Sequence, residues 1–183
     1  MNKGKILIAY FSRAGNNYIS GNIVNLPVGN TEVAAKMIQS KTGGEMFRID
    51  PVKKYSDDYK SCGKEAYDEL RANARPELSS YLEDISEYDM LILGYTNWCE
   101  TMPMPVFTFL ERYDFSDKII LPFCTNEGSG MGRSEDDIKK LCPQSKVLKG
   151  LSIRGGSVRD GRELPGDDAR RHRCGDSESI CPV

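Results

Sequence analysis

The sequence predicts one α/β domain in which a parallel β-sheet is covered by helices on both faces. Five strand-like runs alternate with helix-like runs, which is typical of parallel strands joined by right-handed crossovers. Three of the strand-like runs are almost wholly apolar, as expected for strands that are buried on both faces. The chain has 183 residues, enough for one domain with a sizeable core but hardly enough for two.

The first part of the chain predicts two strands and two helices. The apolar run KILIAYF, Lys5–Phe11, predicts a central strand. A helix is expected over GNTEVAAKMIQSK, residues 29–41, because its apolar residues recur on one helical face. The run GEMFRID, residues 44–50, is shorter and more polar, which suits a strand at the sheet edge. A second helix is expected from Asp57 to Asn73, where apolar residues share one side.

The next part predicts two more apolar strands, each followed by a helix. The strands are expected at YDMLILGYT, Tyr88–Thr96, and at DKIILPFCT, residues 117–125. Between them, PMPVFTFLERY has an early proline and many apolar residues, which suits a buried helix. The segment SEDDIKKLC predicts another helix, in which Ser134 and Asp137 would form a capping box.

The C-terminal part predicts a fifth strand and then departs from the pattern. The strand is expected over KVLKGLSIRGG, residues 146–156, and such a sheet needs a last amphipathic helix after it. The following RDGRELPGDDARRHRCGDSESICPV has no apolar residues at helical spacing. We therefore expect a domain over residues 1–158, an atypical tail over residues 159–183, and a last helix that is missing or atypical. The tail would come from a shifted reading frame or a replaced terminus, or it is a native extension that orders on a partner. An uncovered sheet face would favour a homodimer.

Composition excludes several classes of function. A net charge of -2 and a pI near 5.6 give no indication of a nucleic-acid or membrane partner. No segment approaches the roughly 20 apolar residues that span a bilayer, and the first apolar run is too short for a secretory signal, so we expect a cytoplasmic protein. The six cysteines lack CxxC spacing, which favours reduced thiols. His172 is the sole histidine, which argues against a Ser-His-Asp hydrolase and against most zinc sites.

Three loops that follow apolar strands predict a binding site. They are SRAGNN after the first strand, TNWCET after the third and TNEGSGMG after the fourth. Ligands of open α/β sheets bind beyond the carboxyl ends of the strands. With the strand order 2-1-3-4-5, these loops would converge at one edge of the sheet.

The first loop has the composition of an anion-binding turn. Ser12 offers a hydroxyl, Gly15 lets the backbone turn its amides inward, and residues 29–31 start a helix. A helix N-terminus has free N–H groups and a partial positive charge, which suit a phosphate. The alternative from these residues alone is an ordinary loop before an N-capped helix. The intervening NYISGNIVNLPV either covers the site as a flap or is a surface excursion without ligand contact.

Three separated segments resemble the flavodoxin-like family, in particular a flavodoxin subgroup with a long first loop. They are YFSRAGN…GNTEVAAKMI, YTNWCETMPMPV and PFCTNEGSGMGRSEDDIKKLCP…VLKGLSIRGGSV, and together they cover roughly Lys5 to Val158. The resemblance implies the flavodoxin-like three-layer fold, with a five-stranded parallel sheet in the order 2-1-3-4-5. It also implies a non-covalently bound FMN as the cofactor.

The resemblance further implies which residues contact FMN. The phosphate would lie in the loop after the first strand, and the isoalloxazine ring between the loops after the third and fourth strands. The residues implied for the phosphate are Ser12, Arg13, Ala14, Gly15, Asn16, Asn30 and Thr31. The residues implied for the ring are Asn97, Trp98, Cys99, Thr125, Glu127, Gly128 and Gly130. We expect no metal site and assign no catalytic residue, because the flavin supplies the chemistry.

Trp98 is the only tryptophan, and it follows directly after a strand. Against the flavin, its indole would contribute about 1 kcal/mol beyond buried area and would disfavour the reduced, anionic ring. The alternative is a tryptophan that covers the helix beginning near Met104.

The sequence also departs from the family pattern, because Thr96 replaces a frequent proline, Glu100 a small residue and Asn126 a frequent histidine. A carboxylate at Glu100 either opposes flavin reduction or points into solvent, and a histidine's proton-donor role is not carried over to Asn126.

Two functions are consistent with a bound FMN. The first is electron transfer between redox protein partners, and the second is an NAD(P)H:quinone-type oxidoreductase that acts on a small quinone-like substrate. The net charge of -2 gives little electrostatic steering of a protein partner, while no nicotinamide or adenosine site is visible in the sequence. We favour the electron carrier and keep the oxidoreductase as the alternative. A flavin-free scaffold of the receiver type is disfavoured, because ILIAYFS has no acidic residue at the end of the first strand.

Overall fold

A parallel sheet with helices on both faces organises residues 4–159, the part of the chain that the computed structural model describes. The strands are β1 (Lys5–Tyr10), β2 (Gly15–Ile19), β3 (Asn22–Leu26), β4 (Glu45–Arg48), β5 (Tyr88–Thr96), β6 (Ile119–Asn126), β7 (Lys146–Val147) and β8 (Leu151–Arg154). The helices are α1 (Asn30–Thr42), α2 (Tyr59–Arg71), α3 (Met104–Arg112), α4 (Ser134–Leu141) and α5 (Gly155–Val158). The α/β class predicted from the alternating pattern is confirmed.

The order of the main sheet is β4-β1-β5-β6-β7, with β8 also paired to β6, and all of these pairings are parallel. When only the strands of the main sheet are numbered along the chain, with β7 and β8 as two parts of one strand, this is the predicted order 2-1-3-4-5. The division of the fifth strand was not predicted. It lies beside Pro122, which has no N–H to donate to a neighbouring strand. The amide of Gly150 donates instead to Glu135 Oε1 at 2.6 Å, so a side chain of α4 replaces the strand as its partner.

Each face of the sheet has its own core. On one face, α3 is buried along most of its length, and Phe109 stacks on Phe47 with ring centroids 5.6 Å apart. On the other face, α1 presents Ala34 and Ala35, which pack with residues of the strands and with Val158 of α5. The sheet is therefore covered on both sides within the described residues, which places its carboxyl edge at the surface, where ligands of such folds bind.

The segment between Gly15 and Leu26 forms a second, antiparallel sheet that the sequence did not lead us to expect. Strands β2 and β3 pair as a hairpin from Gly15↔Leu26 to Ile19↔Asn22. Its turn residues Ser20 and Gly21 have φ values of 48° and 91°, as a type I′ turn requires at both central positions. The signal that we missed was this short Ser-Gly loop between two runs of strand-like length. We refer to residues 15–26 as the hairpin.

The predicted capping box at the start of α4 is wrong. Ser134 is fully buried, and its hydroxyl bonds the Tyr95 hydroxyl at 2.8 Å instead of capping the helix. Asp137 accepts a hydrogen bond from Thr101 Oγ1 at 2.8 Å and pairs with Arg133. A buried hydroxyl needs a partner inside the protein, and here the tertiary partner takes precedence over the local pattern.

The last described element, α5, is four residues long and ends at Val158. The predicted tail over residues 159–183 and the expected loss of the last helix lie, apart from Arg159, outside the described residues. None of the helices within residues 4–159 combines the length and the hydropathy that crossing a bilayer requires.

Candidate functional site

The loops that follow β1, β5 and β6 are joined by hydrogen bonds at the carboxyl edge of the sheet. The Asn97 amide donates to the Thr125 carbonyl at 3.1 Å, and the Asn97 side chain donates to the Gly130 carbonyl at 2.9 Å. The side-chain hydroxyl of Thr125 lies 2.7 Å from the hydroxyl of Thr31 at the start of α1. The structure thus brings together the three loops that the sequence singled out.

The first loop and the start of α1 form one hydrogen-bonded unit, which we call the cradle and define as residues 12–16 and 29–31. The Ser12 hydroxyl accepts a hydrogen bond from the Glu32 amide at 3.1 Å, so the loop and the helix are connected directly. A Cβ on Gly29 would lie 2.3 Å from Ser12 Oγ and 2.4 Å from the Arg13 carbonyl oxygen. Only glycine fits this contact, and the N-terminus of α1 is thereby held against the loop.

The hairpin explains why the two halves of the cradle are separated in the sequence. Its first pair, Gly15↔Leu26, joins the end of one half to the segment that leads into the other. Within this base, the Asn17 side chain donates to the carbonyls of Gly15 at 3.0 Å and Arg13 at 3.3 Å. The excursion is therefore an antiparallel ribbon whose ladder brings the halves together, although they are distant in the chain.

Three arginines bond to the cradle or to segments beside it. Arg13 donates to the carbonyls of Asn16, Ser56 and Asp57, and not towards the helix N-terminus. Arg48 donates to the Ser12 carbonyl at 3.1 Å and forms an ion pair with Glu32 at 2.8 Å. Arg159 donates to Asn30 Oδ1 at 3.0 Å and to the Val28 carbonyl. These side chains order the loop and contribute positive charge close to it, which favours an anion. Ala14 is exposed.

The donors of the cradle, together with the neighbouring Thr125 of β6, fit a phosphate. Thr31 and Thr125 are both buried, and each hydroxyl has one hydrogen while their mutual bond uses only one. The hydroxyl that accepts this bond keeps its own hydrogen for a further acceptor. Together with the Ser12 hydroxyl and the first amides of α1, this set offers neutral donors and a helix dipole to a dianion.

The second loop contains a tight turn in an uncommon conformation. Trp98 and Thr101 exchange two backbone hydrogen bonds, of 2.9 and 3.1 Å, across Cys99 and Glu100. Both central residues have positive φ, 51° and 66°, although neither is glycine. A Cβ on Gly132 would lie 2.1 Å from the Glu100 carbonyl oxygen, so the loop after β6 packs closely on the turn. Such strained backbone is held only where its surroundings determine it, and it occurs often at ligand sites.

Trp98 belongs to an aromatic cluster beyond the ends of β1 and β5. The centroid of its ring lies 5.3 Å from that of Phe11 and 4.9 Å from that of Tyr55. Both contacts are T-shaped, with angles of 75° and 88° between the ring planes. The Tyr55 hydroxyl donates to Glu69, and burial raises the pKa of both groups from their ordinary values. Phe11 and Tyr55 were not predicted at the site. Phe11 had a signal, as the last residue of an apolar run, whereas Tyr55 lies in a polar stretch and had none.

The third loop is shaped by Asn126. Its side-chain oxygen accepts from the amides of Gly128 at 2.9 Å and Gly130 at 3.1 Å, while its amide group donates to Ser152 Oγ at 2.8 Å. Both glycines have positive φ, and no atom lies within 4 Å of where their Cβ atoms would stand. The space beside this loop is therefore open, as an adjacent planar ring would need. The Glu127 carboxylate accepts from the Ser20 amide at 3.1 Å and points to the hairpin turn.

Comparisons with known proteins agree with this architecture. A sequence model of the flavodoxin family matches residues 5–162. A proposed flavoprotein from Bacteroides eggerthii has 27% identity and a TM-score of 0.69, with 86% of this chain and 95% of that chain covered. A proposed flavoprotein from Bacteroides uniformis has 28% identity and a TM-score of 0.66, with 86% and 96% covered.

A third structure is a Lactobacillus acidophilus flavoprotein in complex with FMN. It has 21% identity and a TM-score of 0.62, with 86% of this chain and 97% of that chain covered, and at this identity the likeness shows the fold. No match to the chain was found among curated protein sequences. The family model covers most of the sequence. The chain therefore belongs to the flavodoxin family.

Proposed function

We propose that the protein binds FMN at the carboxyl edge of its sheet and transfers electrons between redox partners. The observation that carries the proposal is the cradle, in which Gly29 lies against Ser12 and Arg13 and holds the N-terminus of α1 beside the first loop. Membership of the flavodoxin family and the FMN complex of the Lactobacillus acidophilus flavoprotein support the same ligand.

The residues of the site divide into two sets with different tasks. The phosphate set is Ser12, Arg13, Ala14, Gly15, Asn16, Asn30 and Thr31, whose hydroxyls, backbone amides and nearby arginines suit a monoester dianion. The ring set implied by the family resemblance is Asn97, Trp98, Cys99, Thr125, Glu127, Gly128 and Gly130, at the carboxyl end of β6 and on the loops after β5 and β6. Within this set, the Thr125 hydroxyl faces Thr31 of the cradle and the Glu127 side chain bonds to the hairpin turn. When bound, the flavin supplies the electron-accepting and electron-donating chemistry. The protein then contributes binding, ring orientation through Trp98, and exclusion of water.

An FMN-dependent NAD(P)H:quinone-type oxidoreductase is the second candidate. It is favoured by one observation, the net charge of -2. Electron carriers that meet basic partners gain from a strongly acidic surface, and this chain has little net charge with which to attract a partner over a distance. Its substrate would be a small quinone-like molecule that binds above the ring.

Binding is tested by titration of the purified, flavin-free protein with FMN and with riboflavin, which lacks the phosphate. We expect FMN to bind with a perturbed visible spectrum and quenched fluorescence, and riboflavin to bind at least tenfold more weakly because the cradle is unused. A folded protein whose spectrum shows no binding of FMN would refute the proposal.

The two candidate functions are separated by stopped-flow mixing of the FMN-loaded protein with NADPH or NADH. An electron carrier is expected to be reduced no faster than free FMN under the same conditions. Rapid direct reduction, followed by reoxidation with a small quinone, would reject the carrier in favour of the oxidoreductase.

A further inference from the structure

Glu127 lies at a junction of three separate segments of the chain. One carboxylate oxygen accepts from the Ser20 amide in the hairpin turn at 3.1 Å, and the other accepts from the Gly156 amide in α5 at 3.0 Å. Arg154 of β8 lies 3.7 Å away as an ion-pair partner, and the Glu127 side chain is only 14% exposed. Both oxygens of one carboxylate are therefore used to hold backbone amides of two different elements.

The junction depends on a close approach that a glycine permits. A Cβ on Gly155 would lie 2.7 Å from Glu127 Oε1 and 2.4 Å from Asn30 Nδ2, so a side chain there would separate the two groups. Asn30 is the first residue of α1 and belongs to the cradle. The carboxylate that holds the hairpin turn is thus packed beside the start of the helix that faces the proposed phosphate.

The hairpin is held at both ends. At its base, the pairs Gly15↔Leu26 and Asn16↔Asn25 are continuous with the two halves of the cradle. At its turn, Ser20 is bonded to Glu127. Between these points, Tyr18 stacks on Tyr59 of α2 with ring centroids 6.3 Å apart. Because α2 covers one face of the sheet and α5 the other, the hairpin crosses the carboxyl edge from one face to the other.

We infer that Glu127 is a positioning residue that holds the hairpin across the cradle and so slows the release of the phosphate end of FMN. This inference rests on the proposed function. It gives Glu127 a role through the hairpin instead of the direct ring contact that the family resemblance implied. We expect its effect to be larger for ligands that carry a phosphate, because both strands of the hairpin connect to the cradle and only its turn contacts the loop after β6.

The contact itself is tested without ligand by Glu127→Gln. Glutamine has the same shape but only one acceptor oxygen, so either the Ser20 or the Gly156 amide must lose its partner. Backbone hydrogen exchange in the flavin-free protein is expected to accelerate at least tenfold at one of these amides. The matched control is Glu135→Gln, because Glu135 also accepts a backbone amide, from Gly150, away from the hairpin. Unchanged exchange at both amides in Glu127→Gln would overturn the inference.

The role is tested by the dissociation rates of FMN and riboflavin from the same proteins. Glu127→Gln is expected to release FMN about tenfold faster, a change of about 1.4 kcal/mol, and riboflavin less than twofold faster. The rates of Glu135→Gln should match the wild type for both ligands. An FMN rate that is unchanged, or an equal acceleration for both flavins, would overturn the inference while the proposed function stands. Failure of the wild-type protein to bind FMN would remove the proposed function and this role together.

Discussion

Trp98 makes two T-shaped aromatic contacts, one with Phe11 and one with Tyr55. Edge-to-face contacts of this kind each contribute about 0.5–1.5 kcal/mol beyond area burial. They also restrict the rotamers of the indole, so that little side-chain entropy would be lost when a flat ligand packs on it. The residue was predicted from its place after a strand, but its supporting neighbours become visible only once the loops after β1 and β4 meet it.

Trp98→Ala is expected to weaken FMN binding roughly tenfold, because it removes the stacking surface, worth about 1 kcal/mol, together with buried area. Loss of the electron-rich ring should also raise the reduction potential of the bound flavin. Fluorescence titration and redox titration measure the two effects. Trp98→Phe keeps an aromatic face and should have a smaller effect on both. Unchanged affinity and potential in the alanine variant would remove Trp98 from the site.

The variant Tyr55→Phe tests the hydrogen bond between Tyr55, which packs against the Trp98 indole, and Glu69. The test is the pH dependence of the free energy of unfolding. Burial raises the pKa of Glu69, whereas the hydrogen bond from Tyr55 lowers it, so the variant should raise this pKa further. When the pKa of a carboxyl is higher in the folded than in the unfolded state, the protonated carboxyl stabilises the fold at low pH. This contribution to the free energy of unfolding is lost as the pH rises through the folded pKa. Tyr55→Phe should therefore lower the free energy of unfolding by about 1–3 kcal/mol at pH 7 and by less at pH 4.

Urea unfolding at the two pH values measures this difference, with Tyr113→Phe as the control. The Tyr113 hydroxyl bonds the backbone of Leu82, which does not titrate. The loss in the free energy of unfolding caused by Tyr113→Phe should therefore be the same at pH 4 and pH 7. Equal losses at both pH values for Tyr55→Phe would contradict the coupling to Glu69.

At the scale of elements, the apolar strands were predicted with the least error. The predicted span Tyr88–Thr96 coincides with β5, and the prediction of Lys5–Phe11 exceeds β1 by one residue. These runs are specified by their own composition, because a strand buried on both faces has to be apolar throughout. The features that failed depend on partners elsewhere in the chain. Ser134 does not cap α4 because its hydroxyl bonds the Met131 carbonyl and the Tyr95 hydroxyl, and the fifth strand divides where Glu135 accepts the Gly150 amide.

The hairpin offers a test of its turn. Gly21 has a φ of 91°, and no atom lies within 4 Å of where its Cβ would stand, so an alanine there would clash with nothing. Gly21→Ala should nevertheless destabilise the hairpin by about 1–2 kcal/mol, because a residue with a Cβ disfavours a positive φ. Ser20→Asn should be neutral or slightly stabilising, because Asn-Gly is the preferred pair for a type I′ turn. Hydrogen exchange of the amides in the ladder measures both. Faster exchange in Ser20→Asn than in Gly21→Ala would contradict the assigned turn type.

For the whole molecule, the strand order 2-1-3-4-5 was predicted through the resemblance to the flavodoxin-like family, and the observed order agrees with it. The sequence also allowed the edge that carries the site to be predicted, because carboxyl ends of parallel strands lie together. It did not give the direction of individual side chains within that edge. Glu127, for example, was assigned to the ring set, yet its carboxylate bonds the amides of Ser20 and Gly156. Such directions depend on how loops that are distant in sequence pack.

The two cores share one sheet, which predicts that they unfold together and that a ligand at the edge stabilises both. Ile8 and Ile120 are fully buried on opposite faces, so Ile8→Val and Ile120→Val form a matched pair, each expected to cost about 0.5–1.5 kcal/mol. FMN at a hundred times its Kd should add about 2.7 kcal/mol to the unfolding free energy of each variant, as of the wild type. Chemical denaturation with and without FMN measures the increments. If one face unfolded independently of the site, FMN would stabilise only the variant of the other face, and the increments would differ by well over 0.5 kcal/mol.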